Sequence, residues 1–139
     1  SKKTMSNKPA ITVTRLDMQR LEQMLNNLDD YDAAAEALEA ELARANFVGH
    51  TDIANDVVTM NSKAHFSEES SAADYQLTLA YPAQSAIEGH VSILAPIGTA
   101  LLGLSVGQSI EWLTPAGKTL KLTLNQVAYQ PEAHGEFTL

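Results

Sequence analysis

Hydrophobic positions recur at helical spacing in the first third of the chain and at alternating spacing after it. Thr14 is a natural helix N-cap, and Asp17 stands at the capping-box position three residues on. Met18, Leu21, Met24, Leu25 and Leu28 then form an apolar stripe with three- and four-residue steps. Asn26, Asn27 and the pair Asp29–Asp30 end that helix. Asp32 caps a second helix over residues 33–46, with Ala34, Leu38, Leu42 and Ala45 on one face. Two such helices joined by a few polar residues predict an antiparallel hairpin, a short coiled coil. At about 14 residues each, they give an arm of roughly 20 Å. Ile11 to Val13 reads as an extended lead-in, and residues 47–55, with Gly49 and no clear period, as a linker.

The period then switches. Val58, Met60, Ser62 and Ala64 alternate with Thr59, Asn61 and Lys63 and predict a strand ending at Phe66. Residues 67–73 form a serine-rich loop. Tyr75, Leu77 and Leu79 alternate with Gln76, Thr78 and Ala80 up to the stop at Tyr81 and Pro82. Residues 91–94 form a short strand. The string at residues 95–111 packs several signals together. Pro96 suits a first helical position. Ile97, Ala100, Leu101 and Leu104 build one face, and Gly103 suits a left-handed helix end. Gly107 suits a turn with positive φ before a strand over residues 109–113. Thr114, Pro115, Ala116 and Gly117 make a hairpin turn. Leu120, Leu122, Leu124, Val127 and Tyr129 mark the last strand, and residues 131–139 a tail.

The predicted fold is α+β. It comprises a flexible leader (residues 1–10), a helical hairpin (residues 11–48) and a C-terminal domain (residues 49–139). That domain carries an antiparallel sheet of about five strands with one short helix against it.

Composition adds exclusions. With 139 residues, 45% of them apolar, the chain can bury a core without staples. It has no cysteine, so disulfides, thiolate zinc sites and cysteine nucleophiles are out, and a reducing cytoplasm is the expected location. The net charge is −8, and three of the nine bases (Lys2, Lys3, Lys8) fall in the leader. Such a chain is poorly equipped to neutralise phosphates on nucleic acid by itself. No apolar run is long enough to predict a membrane helix. His50, His65, His90 and His134 lack the close spacing of a zinc motif. No nucleophile elbow, P-loop or dinucleotide fingerprint occurs.

The notable charge cluster is acidic: Asp29, Asp30, Asp32, Glu36, Glu39 and Glu41 follow one another without an intervening base. Asp29, Asp30 and Asp32 fall in the turn between the helices. One reading is capping and a solvated face alone, which explains Asp32 well, Glu36 fairly and Asp29–Asp30 loosely. The other reading is a tip that meets basic groups or a divalent cation.

Several strings as a set resemble the bacterial Gre transcript-cleavage factor family, and more closely its short-armed Rnk branch, the regulators of nucleoside diphosphate kinase. They are D-V-V-T-M-N-S-K at residues 56–63, A-P-I-G-T-A-L-L-G-L-S-V-G at 95–107, T-P-A-G at 114–117 and Y-Q-P-E-A at 129–133. The resemblance spans the chain from about Ile11. It implies an FKBP-like C-terminal domain that docks on RNA polymerase at the rim of the secondary channel, and an arm that enters the channel. In the cleavage factors, acids at the arm tip help hold magnesium at the polymerase active site. Asp29, Asp30 and Asp32 occupy the comparable region here, a correspondence of region rather than of aligned motif. Met60, Asn61, Ser62, Pro96 and Gly98 mark the family domain and serve its fold.

The departure is arm length: roughly 20 Å falls short of the active centre. The expectation is therefore a non-enzymatic, monomeric, polymerase-binding regulator without transcript cleavage. It needs no cofactor, no intrinsic metal, no small-molecule substrate and no membrane, and it meets DNA or RNA only through the polymerase. The alternatives are a Gre-type accessory cleavage factor with a magnesium-holding tip, and a direct regulator of nucleoside diphosphate kinase and nucleotide metabolism.

Overall fold

The computed structural model describes residues 9–113 and 116–136. A short strand β1 (Thr12–Thr14) leads into helix α1 (Arg15–Asn26), and helix α2 (Ala33–Ala43) leads into strand β2 (Asn46–Val48). Thr14 caps α1, its Oγ1 accepting the Asp17 N–H at 3.0 Å. Asp32 caps α2 by accepting the Ala35 N–H at 3.1 Å. Leu21 and Leu25 of α1 and Leu38 and Leu42 of α2 are buried as the stripes predict. On α2 the buried alanine is Ala35, one position beyond the expected Ala34.

The expected second helix ran to residue 46 and a linker followed. Instead, α2 stops at Ala43, and Asn46–Val48 pairs in parallel with Thr12–Thr14. The Asn46 N–H also donates to the Ile11 carbonyl at 2.9 Å. Arg44 secures the helix exit. Its guanidinium donates to Glu41 at 2.8 Å and to the Pro9 carbonyl at 2.8 Å. The two helices therefore leave and return at one stitched base.

The second layer is a five-stranded sheet. Its strands are β3 (Lys63–Glu68), β4 (Asp74–Ala80), β5 (His90–Ser92), β6 (Ser109–Leu113) and β7 (Thr119–Tyr129), in the order β5-β4-β3-β7-β6. The sheet is mixed rather than wholly antiparallel, because β5 pairs in parallel with β4. Residues 81–89, with a turn at Pro82–Gln84, connect them and return the chain only over the three residue pairs Thr78–His90 to Ala80–Ser92. Thr114 and Pro115 of the predicted hairpin turn lie outside the described residues. Its flanks pair Leu113 with Thr119, and Gly117 has φ +85°.

Residues 58–62, expected as the start of a strand, do not form one: Val57 makes an isolated bridge to Ser105, and the chain then turns, with the Ser62 N–H donating to the Thr59 carbonyl at 3.0 Å. Val57, Val58, Thr59 and Met60 are all buried in succession, so they do not alternate. Asn61 takes φ 68°, and the Thr59 N–H is held by Ser62 Oγ at 2.9 Å. Helix α3 (Pro96–Leu101) begins at its proline as predicted, and Leu101, Leu102 and Leu104 are buried with Ile93 in the core. Two glycines of this string permit close approach. A Cβ on Gly98 would strike the Ser92 carbonyl. Gly103 (φ +80°) lies against β1, where an added Cβ would meet Ile11 Cβ at 2.7 Å. The Thr12 N–H donates to the Gly103 carbonyl at 3.1 Å. The helical unit thus joins one continuous core, from Leu21 and Leu38 through Met60 to Leu122 and Leu124.

Candidate docking tip and its base

The segment between α1 and α2 carries the sequence-predicted acids. Asp29, Asp30 and Asp32 are all exposed. Asp32 has a structural duty as the cap of α2, and its carbonyl also accepts the Glu36 N–H at 3.0 Å. Among the described residues, no three acids or histidines are placed to hold a metal ion by themselves.

Tyr31, to which the sequence reading gave no role, lies between Asp30 and Asp32 in this segment with 53% of its surface exposed. Desolvation, then the carboxylates of Glu39, Glu36 and Glu22, hold its phenol above the ordinary tyrosine value. Glu22 belongs to α1 and Glu36 and Glu39 to α2, so the ring stands near acids of both helices. The segment between the helices therefore presents an exposed aromatic ring near negative charge. Its sequence signal was only an aromatic residue in an otherwise polar turn.

At the opposite end of α1 lies a second group of polar residues. Asp17 is 3% exposed, and its Oδ2 accepts the Met60 N–H at 3.0 Å. Burial pushes its carboxyl up to about 7; Glu132 adds to the rise, while the Met60 N–H and Arg20 oppose it. Tyr81 is raised above the tyrosine range, again by burial first and then by Asp17. Thr59 Oγ1 donates to Glu132 at 2.7 Å and shares a 2.8 Å hydrogen bond with Ser62 Oγ. Gln130 Nε2 donates to the carbonyls of Ala54 at 2.7 Å and Val57 at 2.8 Å. This network ties the first turn of α1 to residues 57–62 and to the Pro131–His134 turn. The sequence assigned Asp17 to a capping box, but its carboxylate crosses to Met60 instead. An aspartate is one carbon shorter than the glutamate that reaches back in such a box.

An acidic two-helix unit, stitched onto a mixed five-stranded sheet with a proline-started helix, defines a Gre-type architecture. The family model for the transcription elongation factor GreA/GreB C-terminal region matches residues 53–129, and the chain belongs to that family. The N-terminal unit places it on the Rnk branch, since the Rnk N-terminus model matches residues 9–48. The Regulator of nucleoside diphosphate kinase of Escherichia coli K12 is 39% identical over 135 residues, spanning 95% of this chain and 98% of that protein. Transcription elongation factor GreA of Syntrophomonas wolfei is 30% identical over 92 residues, 66% of this chain but only 57% of that protein. A solved GreA/GreB factor from Nitrosomonas europaea is 46% identical and superposes with a TM-score of 0.72 over 88% of this chain and all of that one.

Proposed function

We propose that this chain is a transcription regulator that docks on bacterial RNA polymerase at the secondary channel and does not stimulate transcript cleavage. The C-terminal domain is the docking module in this reading, and the two helices form a short antiparallel arm that presents Asp29, Asp30 and Asp32. The observation that carries it is helix length. With 12 residues in α1 and 11 in α2, the arm measures about 18 Å and 17 Å along its helices. The domain that the chain shares with elongation factors is retained, while GreA extends well beyond the aligned part. A tip held this close to its domain occupies a channel entrance and leaves the active centre to the polymerase. The chain itself supplies no catalytic group.

Two assays test this. The protein should retain core polymerase in a pull-down at micromolar concentration; failure to do so sinks the proposal. Backtracked complexes with magnesium should keep their transcripts at full length when the protein is added. Shortening that disappears in the Asp29→Ala, Asp30→Ala, Asp32→Ala triple variant would instead make this an accessory cleavage factor. A second reading has one specific support, the name of the E. coli relative. It predicts direct binding to nucleoside diphosphate kinase with no polymerase present.

A further inference from the structure

We infer that the open face of the sheet carries a binding site for a small ligand with a planar ring and a phosphate, the chemistry of a mononucleotide. A cavity of about 480 Å³ lies at one end of this face. Four of its lining residues form a single row across four strands. Tyr129 of β7 is in register with Lys63 of β3, Lys63 with Thr78 of β4, and Thr78 with His90 of β5. The row depends on a bulge. Ala64 pairs with Val127, yet Lys63 pairs with Tyr129, so Ala128 is the extra residue. Without it, Lys63 would face an alanine. A bulge that re-aims a side chain is a common device beside binding sites.

Each member of the row suits one part of the ligand. Neighbouring strands lie about 4.8 Å apart, which puts the Lys63 and His90 backbones about 10 Å apart with the Thr78 hydroxyl between them. A phosphate over Thr78 is then within reach of the flexible lysine stem on one side and the imidazole on the other. The His90 Nδ1 stands 3.3 Å from the Glu88 carbonyl, which orients the ring. On the far side of Lys63, the Tyr129 ring is fixed by stacking on His134, with centroids 4.8 Å apart. It offers an aromatic wall for a base, and Tyr81 and Gln84 close the rim.

Charge and size narrow the occupant. The chain carries −8 overall, yet among the described residues no carboxylate lines this cavity. One lysine and one histidine suit a small dianion, whereas a nucleic acid strand needs a track of bases along its backbone. The volume falls within the roughly 300–1,000 Å³ of small-molecule sites and far exceeds what a lone phosphate fills. The site is independent of polymerase docking.

The test is an amide-shift titration of the full chain with AMP, and with inorganic phosphate and adenosine as separate probes. AMP should give saturable shifts around Lys63, Thr78 and His90 with a dissociation constant below about 1 mM. Phosphate and adenosine should each bind at least about tenfold more weakly, since each fills half of the site. Lys63→Ala should weaken AMP about tenfold or more. Lys63→Gln, which keeps a stem over the sheet, should do the same and guards against misfolding. Lys121→Ala, on the same face but outside the cavity, should leave binding unchanged. The inference is overturned if AMP gives no saturable shift, if phosphate alone binds as tightly, or if the Lys63 variants bind AMP like the parent. Loss of polymerase retention with AMP binding intact would count against the proposed function alone.

Discussion

Asp17 shows how one buried carboxyl ties stability to pH. Its carboxyl sits near 3.8 when unfolded and about 7 when folded, because burial favours the neutral acid. Between those values the folded state binds the extra proton, so stability falls as pH rises. The contribution is complete below about pH 4 and is lost as pH climbs through about 7. Asp17→Asn keeps an acceptor for the Met60 N–H and removes the titration. It should be more stable than the parent at about pH 8 and lose the slope between about pH 4 and 7 in urea melts. Asp17→Ala should instead cost about 1–3 kcal/mol by orphaning a buried N–H. Glu68 acts in a separate window. The Ser70 N–H, then the Ser71 and Ser70 hydroxyls, hold its carboxyl down to about 2. Its contribution is present above its ordinary value of 4.5 and is lost as pH falls toward about 2.

Glycines 103 and 107 make a matched pair at the same scale. Both have positive φ, +80° and +94°, but only Gly103 is crowded, with Ile11 Cβ and the Thr12 backbone within 2.7–3.1 Å of an added Cβ. Gly107→Ala should cost about 1–2 kcal/mol, the left-handed penalty alone. Gly103→Ala should cost distinctly more, because β1 must also move. A thermal melt of both variants checks the order; equal losses would remove Gly103 from the seam.

At the scale of elements, Asp32→Ala should destabilise the fold by about 1 kcal/mol through the lost cap of α2. Asp29→Ala and Asp30→Ala should stay within about 0.5 kcal/mol, as exposed substitutions usually do. Chemical denaturation separates the cap from the rest of the tip. The helices were legible because Leu21, Leu25, Leu38 and Leu42 recur at helical spacing, and Thr14 and Asp32 announce their starts. Strand β2 was not, since Asn46, Phe47 and Val48 are too few to show a period and gain their state from β1. Residues 58–62 were misread as strand because Val58 and Thr59 have strong strand propensity, while burial of consecutive residues needs packing on both sides. That Asp29, Asp30 and Asp32 lie exposed between α1 and α2 could be read directly. Asp17 could not, because its environment comes from Met60 and Glu132, far away in sequence. Likewise, Gly103 was legible as a helix stop but not as the seat of β1.

For the whole molecule, the balance of charge makes the proposed docking testable without knowing its contact surface. The chain carries −8, and the segment proposed as its tip holds three exposed carboxylates, Asp29, Asp30 and Asp32. An acidic tip that meets basic groups at a channel entrance gains attraction that salt screens, with a Debye length of about 10 Å at 0.1 M. Polymerase affinity should therefore fall as salt is raised from about 0.05 M to about 0.3 M, mainly through slower association. The Asp29→Ala, Asp30→Ala, Asp32→Ala variant should bind more weakly at low salt and show a flatter salt dependence. At high salt it should converge with the parent, because in the proposed reading the C-terminal domain still docks. Association rates measured against immobilised core polymerase across this range give the answer. If the triple variant keeps the parent's salt dependence, the tip does not face the polymerase, and its acids serve only to cap α2 and keep the turn solvated.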